Sequence, residues 1–418
     1  MPIDKKWTPP LVVLAVVLIL FCLLAAFRKA VATWTLRSGS SELTQHNNVS
    51  AARDFRLATI LDPGNPRAHG SYALVLMDQK KYDLAIPELR AALRLRPYHS
   101  DTHLDLGDAL SHVGKKDEAL SEWRLAVRYD AQSSYACVAL AHALILKHQF
   151  KEALPLLQQA VRSDPSNYVA QEELGRVLLR LGHFADGVAA YREAIRLDPD
   201  DAKLHAQFAL ELWRTRQLDG AAVEYKEAIR IAPANARYHQ HLSYVLHDRG
   251  DYQAALAEAR EAVKIGPDSA ADHSTVGYDL YLLGQSEEAL KELRLAVTLD
   301  PKEAYAHDNI GYILFRQGKV DQAEQEYRLA LKFSPDDVMI HADLGELLAN
   351  QGDMKAALAE YQKALKSPPD DPMVYKCCGY ILYKTGQKVK ARQMWRKAIT
   401  SDDADAAQQS REYLAKYP

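Results

Sequence analysis

The sequence is poor in cysteine. Its 418 residues include only four, Cys22, Cys137, Cys377 and Cys378, and no Cys-x-x-Cys pair occurs among them. A disulfide framework needs more cysteines than this, and a zinc ribbon needs pairs at a fixed short spacing. The sequence therefore excludes both kinds of cysteine-stabilised domain.

A large excess of one charge sign is also missing. Lysine and arginine total 52 and aspartate and glutamate total 55, which gives a formal net charge of −3. A nucleic-acid-binding surface needs a strong positive field, with basic residues clustered on one face. We therefore expect no nucleic-acid partner.

Catalytic sequence motifs are absent as well. The chain has no glycine-rich phosphate-binding loop, no His-Glu-x-x-His and no Gly-x-Ser-x-Gly. No stretch outside the repeats described below is long enough to fold as a catalytic domain. We therefore expect no enzymatic activity, no cofactor, no metal site and no small-molecule substrate.

One long hydrophobic run is present near the N-terminus. Residues 11–27 are apolar throughout, and as a helix they span about 25 Å, close to the hydrocarbon thickness of a bilayer. Arg28 and Lys29 can extend their charges outward while three further apolar residues continue the helix. We predict a single-pass transmembrane signal-anchor helix over residues 11–32, after a short tail over residues 1–10. Basic residues on its two sides are similar in number, and we favour an extracytoplasmic location for the bulk of the chain.

A cleaved signal peptide is the alternative for this segment. Lys5 and Lys6 would form its basic region, and residues 30–32 would form its cleavage site. The apolar run is longer than a signal core, however, and two basic residues intervene before that site. Cleavage after Ala32 would release a soluble secreted protein.

Proline recurs every 34 residues over most of the chain. The positions are Pro63, Pro97, Pro165, Pro199, Pro233, Pro267, Pro301, Pro335 and Pro369, with Ala131 at the one position that lacks a proline. Proline prevents a helix from continuing because it lacks a backbone donor. The period therefore predicts a stack of helical hairpins.

Small and aromatic residues recur in phase with these prolines. In the repeat that starts at Ala304 they are Ile310-Gly311, Leu314, Gly318, Ala323, Tyr327, Ala330 and Pro335. Two helices whose axes come within about 8–10 Å accommodate only small residues where they cross. A glycine such as Gly318 can adopt the left-handed conformation that ends the first helix. The pattern resembles that of the tetratricopeptide repeat (TPR) family over ten periods.

The resemblance implies an all-α fold, a right-handed superhelical α-solenoid of TPR helix hairpins with one N-terminal transmembrane helix. We predict ten TPR repeats of 34 residues over residues 66–403. Residues 33–65 are predicted to be a linker and a degenerate half repeat, because Ala51, Phe55, Ala58 and Pro63 match a second helix, whereas the polar stretch from Ser38 to Asn48 suits a degenerate first helix. Residues 404–418 are predicted to form a C-terminal capping helix, since the last repeat would otherwise expose an apolar face.

The resemblance also implies a protein-binding groove. In this family the first helix of each hairpin lines a concave groove in which partner peptides lie. In the last four repeats we assign to this groove Tyr278, Tyr281, Tyr305, Tyr312, Phe315, Arg316, Met339, Met373, Lys376, Tyr380, Tyr383 and Lys384. The core positions are already filled by leucine and isoleucine, so these aromatic side chains should lie on the adjoining face and anchor peptides or helices. Corresponding positions of the earlier repeats are polar, which is typical of a solvated face.

Histidine recurs in seven of the ten repeats. The positions are His69, His103, His205, His239, His273, His307 and His341. Equivalent residues on successive hairpins lie about a helix diameter apart, whereas the ligands of one metal ion lie about 2 Å from it. We therefore interpret these histidines as packing residues rather than as a metal site. A weak response to pH stays open.

The function expected from these features is a membrane-tethered protein–protein interaction scaffold or assembly factor, which binds peptide or helical segments in the concave TPR groove. One alternative is a substrate-recruiting subunit of an enzyme complex such as a glycosyltransferase system, because some relatives fuse such repeats to transferase domains. The other is a secreted soluble TPR protein, produced by signal cleavage.

Overall fold

The computed structural model describes residues 9–366, 372–399 and 404–417, and its regular structure within these ranges is helical. Most of the tail predicted over residues 1–10, with Lys5 and Lys6, lies outside the described residues, as does Pro369. The helices are α1 (Pro9–Thr44), α2 (Asn48–Leu61), α3 (Pro66–Asp78), α4 (Tyr82–Leu95), α5 (Ser100–His112), α6 (Lys116–Tyr129), α7 (Ser134–Leu146), α8 (Phe150–Ser163), α9 (Tyr168–Arg180), α10 (Phe184–Leu197), α11 (Ala202–Arg214), α12 (Leu218–Ile231), α13 (Ala236–Asp248), α14 (Tyr252–Ile265), α15 (Ala270–Leu282), α16 (Ser286–Leu299), α17 (Ala304–Arg316), α18 (Val320–Phe333), α19 (Val338–Asn350), α20 (Met354–Ala364), α21 (Pro372–Lys384), α22 (Lys388–Ile399) and α23 (Ala404–Lys416).

The chain divides into two compact units, unit 1 (Met1–Asp200) and unit 2 (Asp201–Pro418). In each unit, consecutive helices pair into hairpins, and each hairpin packs on the next. We call the first helix of a hairpin helix A and the second helix B. From α3 to α22 the odd-numbered helices are A helices. The predicted all-α fold of repeated hairpins is confirmed.

A short side chain caps most A helices. Asp337, for example, accepts hydrogen bonds from the backbone N–H groups of Met339 and Ile340 at 2.9 and 3.3 Å. Such a cap satisfies donors that have no partner within the helix. It fixes the start of α19, so the face that this helix presents is set locally by the sequence.

One residue with positive φ reverses the chain between helix A and helix B. Seven hairpins place a glycine there, as predicted for Gly318, whose φ is 77°. Lys80, His148 and Arg216 occupy the same position in three other hairpins, with φ near 60°. These three side chains make the turn at a steric cost that glycine avoids.

A glycine in helix A makes room for an aromatic ring of helix B. A Cβ atom built on Gly107 would lie 2.5 Å from the Trp123 ring, and one built on Gly311 would lie 3.0 Å from the Tyr327 ring. Both rings are buried. The recurrent small residue is therefore required by ring packing inside each hairpin.

The N-terminal helix differs from the expectation. Helix α1 is continuous from Pro9 to Thr44, so no helix end separates the predicted transmembrane segment from the residues after it. Its C-terminal part packs on α2, with Phe55 lying 2.7 Å from a Cβ atom built on Gly39. The polar stretch from Ser38 to Asn48, expected to be a degenerate first helix in a half repeat or a linker, is mostly helical, and Ser38 donates to Asp54 at 2.7 Å. Residues 33–65 thus contain most of one further helical hairpin.

Helix α23 covers the last hairpin of unit 2. Ala406, Ala407 and Ser410 are buried in this contact. Tyr413 and Tyr417 place their rings 5.4 and 6.1 Å from the ring of Trp395 on α22. The apolar end of the repeat stack is therefore covered by an aromatic cluster.

Candidate functional site

The residues assigned to a groove from the sequence lie on the A helices α15, α17, α19 and α21 of unit 2. Four of them are exposed, although their side chains are large and apolar or aromatic. The exposed fractions are 36% for Tyr278, 57% for Tyr305, 51% for Met339 and 41% for Met373. Exposed side chains of this kind, one on each of four successive A helices, are typical of a protein-binding surface.

A tyrosine pair lies deeper on the same face. The rings of Tyr281 and Tyr312 meet edge to face with centroids 5.5 Å apart, and they join α15 to α17. Both rings, like Phe315, are partly buried against the hydrophobic core. Arg316 is exposed at the end of α17. Packing against the hydrophobic core therefore fixes the positions of the three aromatic rings.

The part of the predicted groove on α21 is in contact with α23. Lys376 is buried, and its Nζ donates to Oε1 of Gln409 at 2.9 Å. The ring of Tyr380 lies 5.8 Å from that of Tyr413, and the ring of Tyr383 lies 4.5 Å from that of Tyr417. The structure thus brings together the assigned residues of α15, α17 and α19, whereas these three residues of α21 pack under the C-terminal helix.

Lys384 lies at the end of α21 and is exposed. Its Nζ lies 5.4 Å from the centroid of the Tyr380 ring, a cation–π distance. Of the three basic residues assigned to the groove, Arg316 and Lys384 are exposed at helix ends, whereas Lys376 is buried.

Carboxyl groups on the same face were missed by the sequence reasoning. Asp308 on α17 is only 8% exposed, and its Oδ1 atom is buried without a hydrogen-bond partner among the described residues. Asp343 and Glu346 lie on α19, the next A helix, and act on the same region electrostatically. The spacing of 35 residues between Asp308 and Asp343, one period plus one, is the signal that could have revealed the pair.

Burial shifts the titration of these acids. Burial, together with repulsion from Asp343 and Asp337, raises the pKa of Asp308 well above its usual range. The pKa of Asp343 is also raised, by burial and by repulsion from Glu346 and Asp337. Two carboxylates that share a poorly solvated site cannot both ionise easily.

Each repeated histidine bridges the two helices of its hairpin. His307 places Nδ1 2.6 Å from Oε2 of Glu326 on helix B, and Nε2 3.2 Å from the carbonyl oxygen of Pro301. The distance from Nδ1 to the glutamate is 2.6–2.8 Å in all seven repeats that contain the histidine. The interpretation as packing residues was incomplete, because these buried rings make specific polar contacts. The signal in the sequence is a glutamate 19 residues after each histidine.

Unit 1 has an acidic A helix of its own. Burial, with repulsion from Asp108 and Asp101, raises the pKa of Asp105 on α5 to about 7. Asp108 accepts a hydrogen bond of 2.9 Å from the indole nitrogen of Trp123. Asp108 is thus a partly buried acid with a structural partner.

An open cleft of about 960 Å³ lies in unit 2 beside α11 and α13. Lys203, Gln207 and His241 contribute polar groups to its wall. Sequence reasoning did not indicate this cleft. Its lining combines residues of the A helices α11 and α13 with the segment that precedes α13 and the end of α14.

Comparison with known proteins identifies the repeat. Models described as tetratricopeptide repeat match residues 36–100, 76–141, 138–202 and 207–270, and a model described as TPR repeat matches residues 277–318, 311–352 and 345–386. The chain belongs to the tetratricopeptide repeat family. Helix α2 and the end of α1 fall inside the first of these matches. No curated protein sequence matches this TPR chain.

Solved structures have a similar fold. The structure of yeast Tom70 is 13% identical with a TM-score of 0.54, and the match covers 92% of this TPR chain and 95% of that one. The Cut9–Hcn1 hetero-tetramer of APC/C matches with 12% identity and a TM-score of 0.48, covering 92% of this chain and 96% of that one. At such identity the likeness to Tom70 shows the fold alone.

Proposed function

We propose that this protein is a membrane-tethered scaffold or assembly factor that binds peptide or helical segments of other proteins along the A-helix face of unit 2. The observation that supports this function best is the exposed series Tyr278, Tyr305, Met339 and Met373, one residue on each of four successive A helices. Each exposed apolar side chain loses contact with water when a partner covers it. Because the stacked helices hold the series in place, little conformational entropy is lost on binding.

The tether in this proposal is helix α1 over residues 11–32. It is the one helix of the described chain that is long and apolar enough to cross a bilayer. Its large hydrophobic side chains from Val13 to Phe27 are 50–69% exposed, which suits a lipid environment. Single-pass insertion with the repeats on the extracytoplasmic side is part of the proposal.

Crosslinking followed by mass spectrometry on native membranes tests the binding face. The variant Tyr305→Ala/Met339→Ala removes two exposed side chains and should leave the fold intact, because surface substitutions change stability by only about 0.5 kcal/mol. We expect it to lose the partner crosslinks of the wild type. Leu295→Ala/Leu329→Ala is the matched control, since these leucines are 41% and 38% exposed on the B helices α16 and α18. An unchanged set of crosslinked partners in the first variant would refute the assignment of this face.

Alkaline extraction and N-terminal sequencing of the mature protein test the tether. We expect the chain to remain in the membrane pellet and to retain residues 11–32. An N-terminus that begins after Ala32 would instead establish a secreted protein.

A further inference from the structure

Three carboxyl groups on α17 and α19 have no partner of opposite charge. Asp308, Asp343 and Glu346 make no ion pair or side-chain hydrogen bond with any residue that the structure describes. Asp308 is more than nine-tenths buried, and Glu346 is exposed, so the group extends from the interior to the surface. A buried carboxylate without a partner is costly, by several kcal/mol in typical cases.

Other buried acids on A helices are paired across neighbouring hairpins. In unit 2, Asp272 accepts a hydrogen bond from Gln240, and Asp279 lies 3.1 Å from Nδ1 of His247. In unit 1, Glu173 lies 2.8 Å from Nδ1 of His142. Asp308, where α17 meets α19, thus differs from these three buried acids, each of which has a partner.

A buried hydroxyl group points to the same place. Tyr327 on α18 is fully buried, and its hydroxyl has no hydrogen-bond partner in the described chain. Asp343 and Asp308 act electrostatically on this hydroxyl. Buried polar atoms of this kind normally find a partner, so this orphan group is a second, independent sign of a binding site here.

Aromatic rings border the acids. Tyr312, in edge-to-face contact with Tyr281, is under the influence of Asp343 and Glu346 and so lies on the same face. Tyr305 is exposed one turn before Asp308, and its hydroxyl donates to Asp337 at 3.2 Å. Carboxylates next to tyrosine rings suit a lysine or arginine side chain, whose stem packs on the rings while its charged group meets the acids.

Arg316, a basic side chain on the same helix as Asp308, does not fill this role. Arg316 is eight residues after Asp308 on α17, about 12 Å along the helix, and it is exposed. No ion pair joins it to the three acids within the described ranges. A cation supplied by a partner therefore has room to bind.

We propose that the acids Asp308, Asp343 and Glu346, bordered by Tyr281 and Tyr312, form a subsite for a lysine or arginine side chain of the bound partner segment. The inference rests on the proposed function, because it names the chemistry of the segment that the A-helix face holds. The cation supplies donors to carboxyl oxygens that otherwise lack them, and the partner's flanking apolar side chains cover the exposed aromatic series.

Four peptide libraries test this subsite on the full chain in detergent. Each library has 13 positions, randomised except at the centre, which is arginine, lysine, citrulline or glutamate. Citrulline has the shape of arginine without the charge. We expect the arginine and lysine libraries to bind about tenfold more tightly than the citrulline library, and the glutamate library to bind least.

In the variant Asp343→Asn/Glu346→Gln, the affinity for the arginine library should fall to that for the citrulline library. The affinity for the citrulline library should not change. Asp321→Asn/Glu288→Gln is the control, because it removes the same charge from exposed positions on the B helices α18 and α16. Asp308→Asn, with an unchanged unfolding transition, should act in the same direction as the first variant.

The two proposals fail in different ways. Equal binding of the arginine and citrulline libraries, or retained preference for arginine in the double variant, overturns the cation subsite and leaves the protein-binding face standing. If none of the four libraries binds, the cation subsite falls. The proposed protein-binding face is refuted as well only if the variant Tyr305→Ala/Met339→Ala also keeps all crosslinked partners.

Discussion

Nδ1 of His307 lies 2.6 Å from the carboxylate of Glu326, while Nε2 of the same ring faces the carbonyl oxygen of Pro301 at 3.2 Å. A carboxylate and a carbonyl both accept hydrogen bonds, so the ring donates from both nitrogens when both bonds form. The ring thereby joins helix A, helix B and the preceding turn of one hairpin. Because the contact recurs in seven repeats, it is a regular part of how this chain builds its hairpins.

A double-mutant cycle on His307→Ala and Glu326→Ala measures this contact. We expect a coupling free energy of about 1–3 kcal/mol, because the bond is charged and partly buried. Hydrogen exchange of the amides of α17 and α18 provides the measurement, since it reports local unfolding within a repeat protein. The pair Arg328 and Glu324, on the exposed surface of α18, is the control and should give about 0.2–1 kcal/mol. Equal coupling in the two cycles would contradict a structural role for the histidine.

Gly107→Ala tests the packing of helix A against helix B. The added methyl group would lie 2.5 Å from the Trp123 ring, so the ring must move, and we expect a loss of about 1–3 kcal/mol in the free energy of unfolding. Gly70→Ala on α3 is the matched control, because no atom lies within 4 Å of its added methyl group. It should stabilise the helix by about 0.5–1 kcal/mol. Urea unfolding of both variants gives the comparison, and a change of the same sign in both would be inconsistent with this account.

Lys80→Gly tests the turns between helices. Lys80 has a φ of 59°, a left-handed conformation that costs a side-chain-bearing residue about 1–2 kcal/mol. Glycine should relieve part of that cost. We therefore expect the free energy of unfolding to rise by about 0.5–1 kcal/mol, and the thermal midpoint to rise with it. The control is Lys81→Gly, since Lys81 has a φ of −91° and therefore no left-handed strain that glycine could relieve. A lower midpoint for Lys80→Gly than for the wild type would count against strain at this turn.

The raised pKa of Asp105 predicts a pH dependence of stability in unit 1. Its carboxyl titrates near pH 7 in the folded chain and near 4 in the unfolded chain, so the folded state binds more protons between these values. Stability attributable to this group should therefore be highest below about pH 4, fall as the pH rises to about 7, and stay low above that.

Asp105→Asn removes the ionisation. We expect it to stabilise unit 1 by about 1–3 kcal/mol at pH 8 and to have little effect at pH 4, measured by hydrogen exchange of α5 and α6. Asp186→Asn, at an exposed position of α10, should change stability little at either pH. Destabilisation by Asp105→Asn at pH 8 would show that the carboxylate is ionised and paired.

The hairpins could be predicted because their determinants are local. A positive φ at Gly318 and a ring against Gly311 follow from residues within one 34-residue period, and the pattern repeats often enough to be read. The first hairpin was predicted only as a degenerate half repeat or a linker, because its polar first helix hides the bond from Ser38 to Asp54, 16 residues away. Polarity alone does not distinguish an exposed helix face from one whose polar groups are paired.

The proposed binding face was predictable only in part. Position within the repeat correctly indicated that Tyr305 and Met339 are exposed on A helices. It did not indicate that Gln409 and Tyr413 of α23 would contact Lys376 and Tyr380, because that contact joins the last repeat to a helix outside the periodic pattern. Asp308, Asp343 and Glu346 were not predicted from the sequence because their carboxyl groups share one environment only after α17 and α19 have stacked.

The continuity of α1 has a mechanical consequence in the proposed tethered state. The same rod that would sit among lipid tails ends in the first hairpin, where Ala32 and Thr35 are buried and the Arg28 guanidinium donates to the Ile60 carbonyl oxygen at 3.4 Å. No break in the helix provides a flexible joint between the proposed transmembrane part of α1 and the first hairpin. Any tilt forced on the rod by a thinner or thicker membrane is passed directly to α2, so lipid composition would steer the angle at which this first hairpin leaves the surface.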